Sequence, residues 1–177
     1  MTQTAKAPSS QDRDDKATIA WGPLGQIEVL TFDLQGETFA LEAAMVQEIL
    51  DMAPATAVPN ASPIVGGVIN FRGKVIPLAD LRLAFGMAAD SDTIDSRIIV
   101  IEMEIDEEPT LIGLRTDKVH EVTTLAQTAA EPPPSVGMRW RADYVRQLVK
   151  RNGEFIVLPN LNAIFAPNSD PAASAHH

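Results

Sequence analysis

An internal repeat constrains this chain more than any other feature of its sequence. Val46-Gln-Glu-Ile49 returns seventy-three residues later as Val119-His-Glu-Val122, and Ala40-Leu41 returns at the same spacing as Gly113-Leu114. Gly73-Lys-Val-Ile-Pro-Leu-Ala-Asp-Leu81 returns eighty residues later as Gly153-Glu-Phe-Ile-Val-Leu-Pro-Asn-Leu161. The seven extra residues fit a longer loop that contains Pro132-Pro-Pro134. Repetition at this period marks one supersecondary unit used twice. Each copy reads as hairpin, strand, loop, hairpin and short helix, about five short strands in all. An open sheet that small leaves unpaired edges, and closing it into a barrel removes them. The expectation is an all-β protein of two small barrels related by approximate internal symmetry, with a crevice between them. The first spans about 26–87 and the second about 96–158, followed by a short helix over 160–165.

Local patterns support this division. From Gln26 the apolar positions alternate, so Leu30, Phe32 and Leu34 share one strand face, and Gln35-Gly36-Glu37 turns the chain. Val46 to Asp51 reads as a strand, and Pro54 to Pro63 as a loop. Val65, Val68 and Ile69 then lead to a turn at Arg72-Gly73, where glycine supplies the positive φ. Pro77, lacking an N–H, is expected to end the returning strand. Asp80 caps a helix from Leu81 to Phe85, and Gly86 ends it. In the second copy Ile99, Ile101, Met103 and Ile105 share a face opposite Glu102 and Glu104. Strands follow over Thr110–Thr116 and Val119–Leu125, then an aperiodic stretch to Ala142. A hairpin turns at Asn152-Gly153, and Asn160 caps Leu161–Phe165. Residues 1–20 and 167–177 read as disordered tails.

Charge and motif content exclude several function classes. A net charge of −10 and a pI near 4.6 oppose general nucleic-acid binding and attraction to anionic lipid. No apolar run is long enough to span a bilayer, no leader segment is recognisable, and the chain has no cysteine. The simplest location is the cytoplasm. Neither a nucleophile elbow nor a phosphate loop occurs, and no cofactor is implied. Asp117, His120 and Glu121 invite a metal reading, but strand alternation sends His120 and Glu121 to opposite faces. A small β-barrel hydrolase using Asp80 or Asp117 is the competing class, and it lacks a second acid–base partner.

Gly67-Val-Ile-Asn-Phe-Arg-Gly-Lys-Val-Ile-Pro-Leu-Ala-Asp-Leu81, with Val46-Gln-Glu-Ile49, Ile112-Gly113-Leu114 and Asp117-Lys-Val-His-Glu-Val122, resembles the CheW family of chemotaxis coupling proteins. The resemblance covers roughly Gln26 to Phe165. It implies two SH3-like five-stranded barrels in pseudo-symmetric arrangement. It also implies an adaptor without catalytic activity that links the cytoplasmic tip of a chemoreceptor to the regulatory domain of a CheA-type histidine kinase. A coupler for a related system, such as pilus-based twitching, is the neighbouring possibility. The positions matching the family's partner-binding surface are Val46, Glu48, Gly67, Asn70, Arg72, Gly73, Gly113, Val119 and Val122. Among them Glu48 and Arg72 match a paired acid and base, and the glycines would admit a close-packed partner helix. Arg115-Thr116, Gln147-Leu148 and Pro159-Asn160 depart from the family pattern. Arg139, Arg141, Arg146, Lys150 and Arg151 form a basic concentration, a candidate for matching a particular partner.

Overall fold

The computed structural model describes residues 19–134 and 141–166. The expected tails therefore lie outside the described residues, except for their inner ends at 19–20. Ile19 is buried and joins a core cluster against which Trp21 packs, so the structured region begins before Trp21.

The strands of the first copy are β1 (Gln26–Leu34), β2 (Glu37–Glu42), β3 (Val46–Asp51), β4 (Thr56–Ala57), β5 (Gly67–Phe71) and β6 (Lys74–Ala79), followed by helix α1 (Leu81–Ala84). Those of the second are β7 (Arg97–Ile105), β8 (Glu108–Thr116), β9 (Lys118–Ala126), β10 (Ala130–Glu131), β11 (Val145–Arg151) and β12 (Glu154–Pro159), followed by α2 (Leu161–Phe165). Each copy thus has six strands rather than five. The additions, β4 and β10, are two-residue strands inside segments that read as loop, too short to carry a period.

The sheets do not follow the copies. One runs β10-β11-β12-β2-β1-β9 and the other β3-β7-β8-β6-β5-β4. Each copy's opening hairpin is therefore exchanged into the barrel built by the other copy. Boundaries at 26–87 and 96–158 describe the repeat and not the barrels. The chain changes sheet in the 3₁₀ turn Ala43–Met45 and again at Asp117, between β8 and β9. Parallel pairs seal the exchange, Phe39 with Val157 and Leu78–Ala79 with Gly113–Leu114. In each sheet the two end strands, β9 and β10 or β3 and β4, are consecutive in the chain.

Exchange also changes what lies between the barrels. The largest core cluster joins Leu30, Phe32, Phe39 and Leu41 of one hairpin to Ile99, Ile101, Ile112 and Leu114 of the other, with Leu81 and Phe85 from the α1 region and Leu161 and Ile164 from α2. An expected crevice is in fact a filled core. Strand β7 buries both faces for this reason: Ile99 and Ile101 face the shared core, while Ile98 and Val100 join the interior of their own barrel.

Four hairpins turn through residue pairs that both have positive φ: Gln35-Gly36, Arg72-Gly73, Asp106-Glu107 and Asn152-Gly153. Both-positive pairs give the turn whose twist matches the strands. Arg72 thus shares the left-handed conformation that the sequence assigns to Gly73 alone. Pro77 does not end its strand; it pairs opposite Val68, and β6 continues to Ala79. Proline loses only its donor, and its carbonyl remains available to the ladder.

Candidate partner-binding surface

Two β-bulges at equivalent places in the repeat shape the surface. On β3, Val46 opposes Ile101 and Glu48 opposes Val100, so β3 carries one extra residue. On β9, Val119 opposes Phe32 and Val122 opposes Leu30, so His120 and Glu121 together face Thr31. The Thr31 hydroxyl donates to the Glu121 carbonyl at 3.1 Å. A bulge re-aims side chains and breaks alternation. The expectation that His120 and Glu121 point to opposite faces therefore fails. Both line one open cavity of about 370 Å³, where His120 Nε2 lies 2.8 Å from Asp33 Oδ2 and Arg151 donates to Glu121 at 3.3 Å. Among the described residues no group of three or more His, Asp or Glu side chains is placed to hold a metal.

The bulge on β3 directs Glu48 to the tip of the β5–β6 hairpin. There Arg72 Nη2 donates to Glu48 Oε1 at 2.7 Å, and the Arg72 guanidinium lies 5.2 Å from the centroid of the Phe71 ring. The pair is at the surface, with the Arg72 side chain 72% exposed. It therefore adds at most about 1 kcal/mol to folding, and the larger penalty of a buried pair does not apply. Asn70 and Gly73 build the turn that presents Arg72: Asn70 Oδ1 accepts from the Gly73 N–H at 3.0 Å.

The remaining positions separate. Gly113 is buried, and a Cβ there would meet Ile98 Cγ2 at 3.1 Å and Ile69 Cδ1 at 3.2 Å. Its missing side chain serves packing inside the barrel. Gly67 is buried where a Cβ would lie 2.9 Å from the Thr56 carbonyl oxygen, so it admits β4 to the sheet. Val46 and Val119, equivalent in the repeat, are partly buried and pack on the rim of the shared core. Val122 is exposed, and so is its repeat equivalent Ile49. Ile49 was legible through the seventy-three-residue spacing but does not stand out by itself. Of these positions, Val46, Glu48, Ile49 and Arg72 keep some exposure on one sheet, and Val119 and Val122 on the other.

A second charged group, absent from the sequence reading as a unit, ties the two sheets together. Arg82, on α1, is buried and donates through Nε and Nη2 to Asp80 at 2.9 and 2.8 Å, and through Nη1 to the Asp90 carbonyl at 2.9 Å. Arg82 Nη1 also reaches Asp117 Oδ1 at 3.5 Å, and Arg115 Nη1 reaches the same oxygen at 2.8 Å. Asp117 Oδ2 accepts from the Gln35 N–H at 2.7 Å, across to the other sheet. Burial by itself raises the Asp117 carboxyl, but the Gln35 N–H and the two guanidinium groups outweigh it and hold it below its ordinary value. The hydrogen bonds to Asp80 raise Arg82 against the opposing effect of burial. Both carboxylates of the hydrolase reading are thus committed to structural arginines. Arg115, which departs from the family pattern, is buried because Asp92 and Asp117 compensate it.

Three members of the basic concentration are compensated by nearby carboxylates. Arg141 bonds Asp143 at 2.8 Å, Arg146 bonds Glu42 at 2.9 Å, and Arg151 bonds Glu121. Arg139 lies outside the described residues.

Comparison with known proteins gives a consistent result. The family model described as the CheW-like domain matches residues 28–168. Chemotaxis protein CheW of Rhizobium meliloti (strain 1021) is 30% identical over 149 residues, covering 84% of this chain and 94% of that protein. Chemotaxis protein CheW of Bacillus subtilis (strain 168) is 28% identical over 147 residues, covering 82% and 91%. The crystal structure of scaffolding protein TtCheW from Thermoanaerobacter tengcongensis superposes with a TM-score of 0.71 at 31% identity, covering 81% of this chain and 95% of that one.

Proposed function

The chain belongs to the CheW-like domain family, and from that premise we propose that it couples the cytoplasmic tip of chemoreceptors to the regulatory domain of a CheA-type histidine kinase. It is a non-catalytic adaptor with the two-sheet, SH3-like all-β fold of that family. Its relatives are named chemotaxis proteins, and the matched structure is that of a scaffolding protein. No helix among the described residues is long and apolar enough to cross a membrane, and we assign the protein to the cytoplasm as a peripheral part of a receptor array.

The observation that carries this reading is the Glu48–Arg72 pair, held at a surface by a bulge on one strand and a two-residue turn on another. A pair that contributes little to folding leaves both groups free for recognition. Val46 and Ile49 on one sheet and Val119 and Val122 on the other supply apolar side chains of the kind a helical partner takes as anchors. The adaptor acts through binding alone: a change in receptor state reaches the kinase only as a difference in affinity between states.

The test is co-sedimentation of the chain with a receptor cytoplasmic fragment and a CheA-type kinase, with autophosphorylation as readout. The wild-type chain binds both and changes the kinase rate. Arg72→Glu loses receptor binding while keeping its melting temperature within about 3 °C. Wild-type coupling by Arg72→Glu removes the pair from the site, and failure of the wild type to bind either partner rejects the proposal.

A further inference from the structure

The two copies of the repeat differ at one position in a way that leaves a cavity. In the first copy Arg82 sits two residues after the α1 cap, Asp80, and fills the space beside it. In the second copy the equivalent residues are Asn160, which caps α2, and Asn162. The helices sit alike, since the Asp80 N–H donates to the Ile64 carbonyl at 2.8 Å and the Asn160 N–H to the Tyr144 carbonyl at 2.7 Å. Where Arg82 fills the first copy, the second has a cavity of about 260 Å³ lined by Glu42, Met45, Met103, Glu104, Glu107 and Arg146, together with Asn160 and Asn162. Three carboxylates line it against one guanidinium, and Arg146 is already engaged by Glu42.

We propose that this cavity is a binding site for a basic side chain, an arginine or lysine carried by a partner protein. The chain's own first copy shows the occupant that such a place accepts: a buried arginine whose head meets carboxylates. In the second copy Met45 and Met103 supply the apolar floor and Glu104 and Glu107 the acidic rim. Thioethers adapt to a flexible alkyl stem, and carboxylates engage its charged end. A space this size admits one side chain rather than a cofactor. The site shares no residue with the Glu48–Arg72 surface, so the proposal stands or falls independently of the receptor-and-kinase reading.

The probe is Nα-acetyl-L-arginine amide, titrated at low salt into the isotope-labelled full chain, with Nα-acetyl-L-citrulline amide as the neutral isostere. The expected result is a saturable change, with a dissociation constant on the order of millimolar, confined to Asn160, Asn162, Glu104, Glu107 and the Met45 and Met103 methyl groups. Citrulline produces none, and Glu104→Gln with Glu107→Gln removes the response. Asn162→Arg places the cation internally, abolishes the response and raises the melting temperature by about 2–4 °C. Shifts scattered over the acidic surface, an equal response to citrulline, no saturation up to roughly 50 mM, or a lower melting temperature for Asn162→Arg each overturns the proposal.

Discussion

Replacing Arg82 by methionine tests the claim that one buried arginine locks the two exchanged sheets together. Methionine keeps an apolar stem of similar length, so the substitution removes the charge and its hydrogen bonds while retaining most of the packing. Arg82 is 2% exposed, and it makes two bonds to Asp80, one to the Asp90 carbonyl and a longer one to Asp117. Removing one member of a fully buried pair costs about 3–5 kcal/mol, because the other charge is stranded. Here Asp80 and Asp117 keep 20% and 27% of their side chains exposed, and water recovers part of the loss. The expected destabilisation is therefore at the lower end, about 3 kcal/mol. For a chain of this length that lowers the melting temperature by roughly 6–12 °C. Urea denaturation monitored through tryptophan fluorescence and far-UV circular dichroism measures it, with Arg72→Met as the surface control, expected to lose less than about 1 kcal/mol. Arg82→Met combined with Asp117→Asn loses less than the sum of the single variants, since both changes remove the same Arg82–Asp117 contact. A loss for Arg82→Met no larger than that for Arg72→Met, or strict additivity in the double variant, would refute the lock.

Other outcomes follow from the same geometry. Asp117 titrates below its ordinary value, so its stabilising effect is present above the unfolded carboxyl value of about 3.9 and is lost as pH falls through the lower folded value. The stability gap between wild type and Asp117→Asn is accordingly full at pH 7 and closes below about pH 4 in pH-dependent urea melts. Gly67→Ala destabilises by about 1–3 kcal/mol because its Cβ meets backbone at Thr56, whereas Gly113→Ala meets only side-chain methyl groups and loses less; thermal melts that reverse this order refute it. Ile19→Ala costs about 2 kcal/mol, the low end for a buried isoleucine, since the site lies near the edge of the described fold and can relax. Truncation of residues 1–20 lowers the melting temperature for the same reason, and an unchanged melt would place Ile19 outside the core.

Much of this protein follows from local rules that short stretches of sequence obey by themselves. The alternation at Leu30, Phe32 and Leu34 makes a strand wherever its partner lies. Asp80 and Asn160 cap helices because an acceptor at that position meets an N–H of the first turn, and both do so. Asn70 and Gly73 build the turn that lifts Arg72 from within four residues. The repeat, too, is legible, because each copy must present the same faces to a core. Pairing partners are another matter, since strands of equivalent pattern pair equally well within a copy or between copies. Only tertiary structure chose exchange, and with it a filled core in place of a crevice. The bulges at Glu48 and Glu121 depend on which strand lies opposite, so the failure of alternation at His120 was invisible along the chain. Burial decided the rest. Arg115 and Gly113 sit two residues apart on one strand, and whether each meets carboxylates, methyl groups or a partner depends on residues far away in sequence.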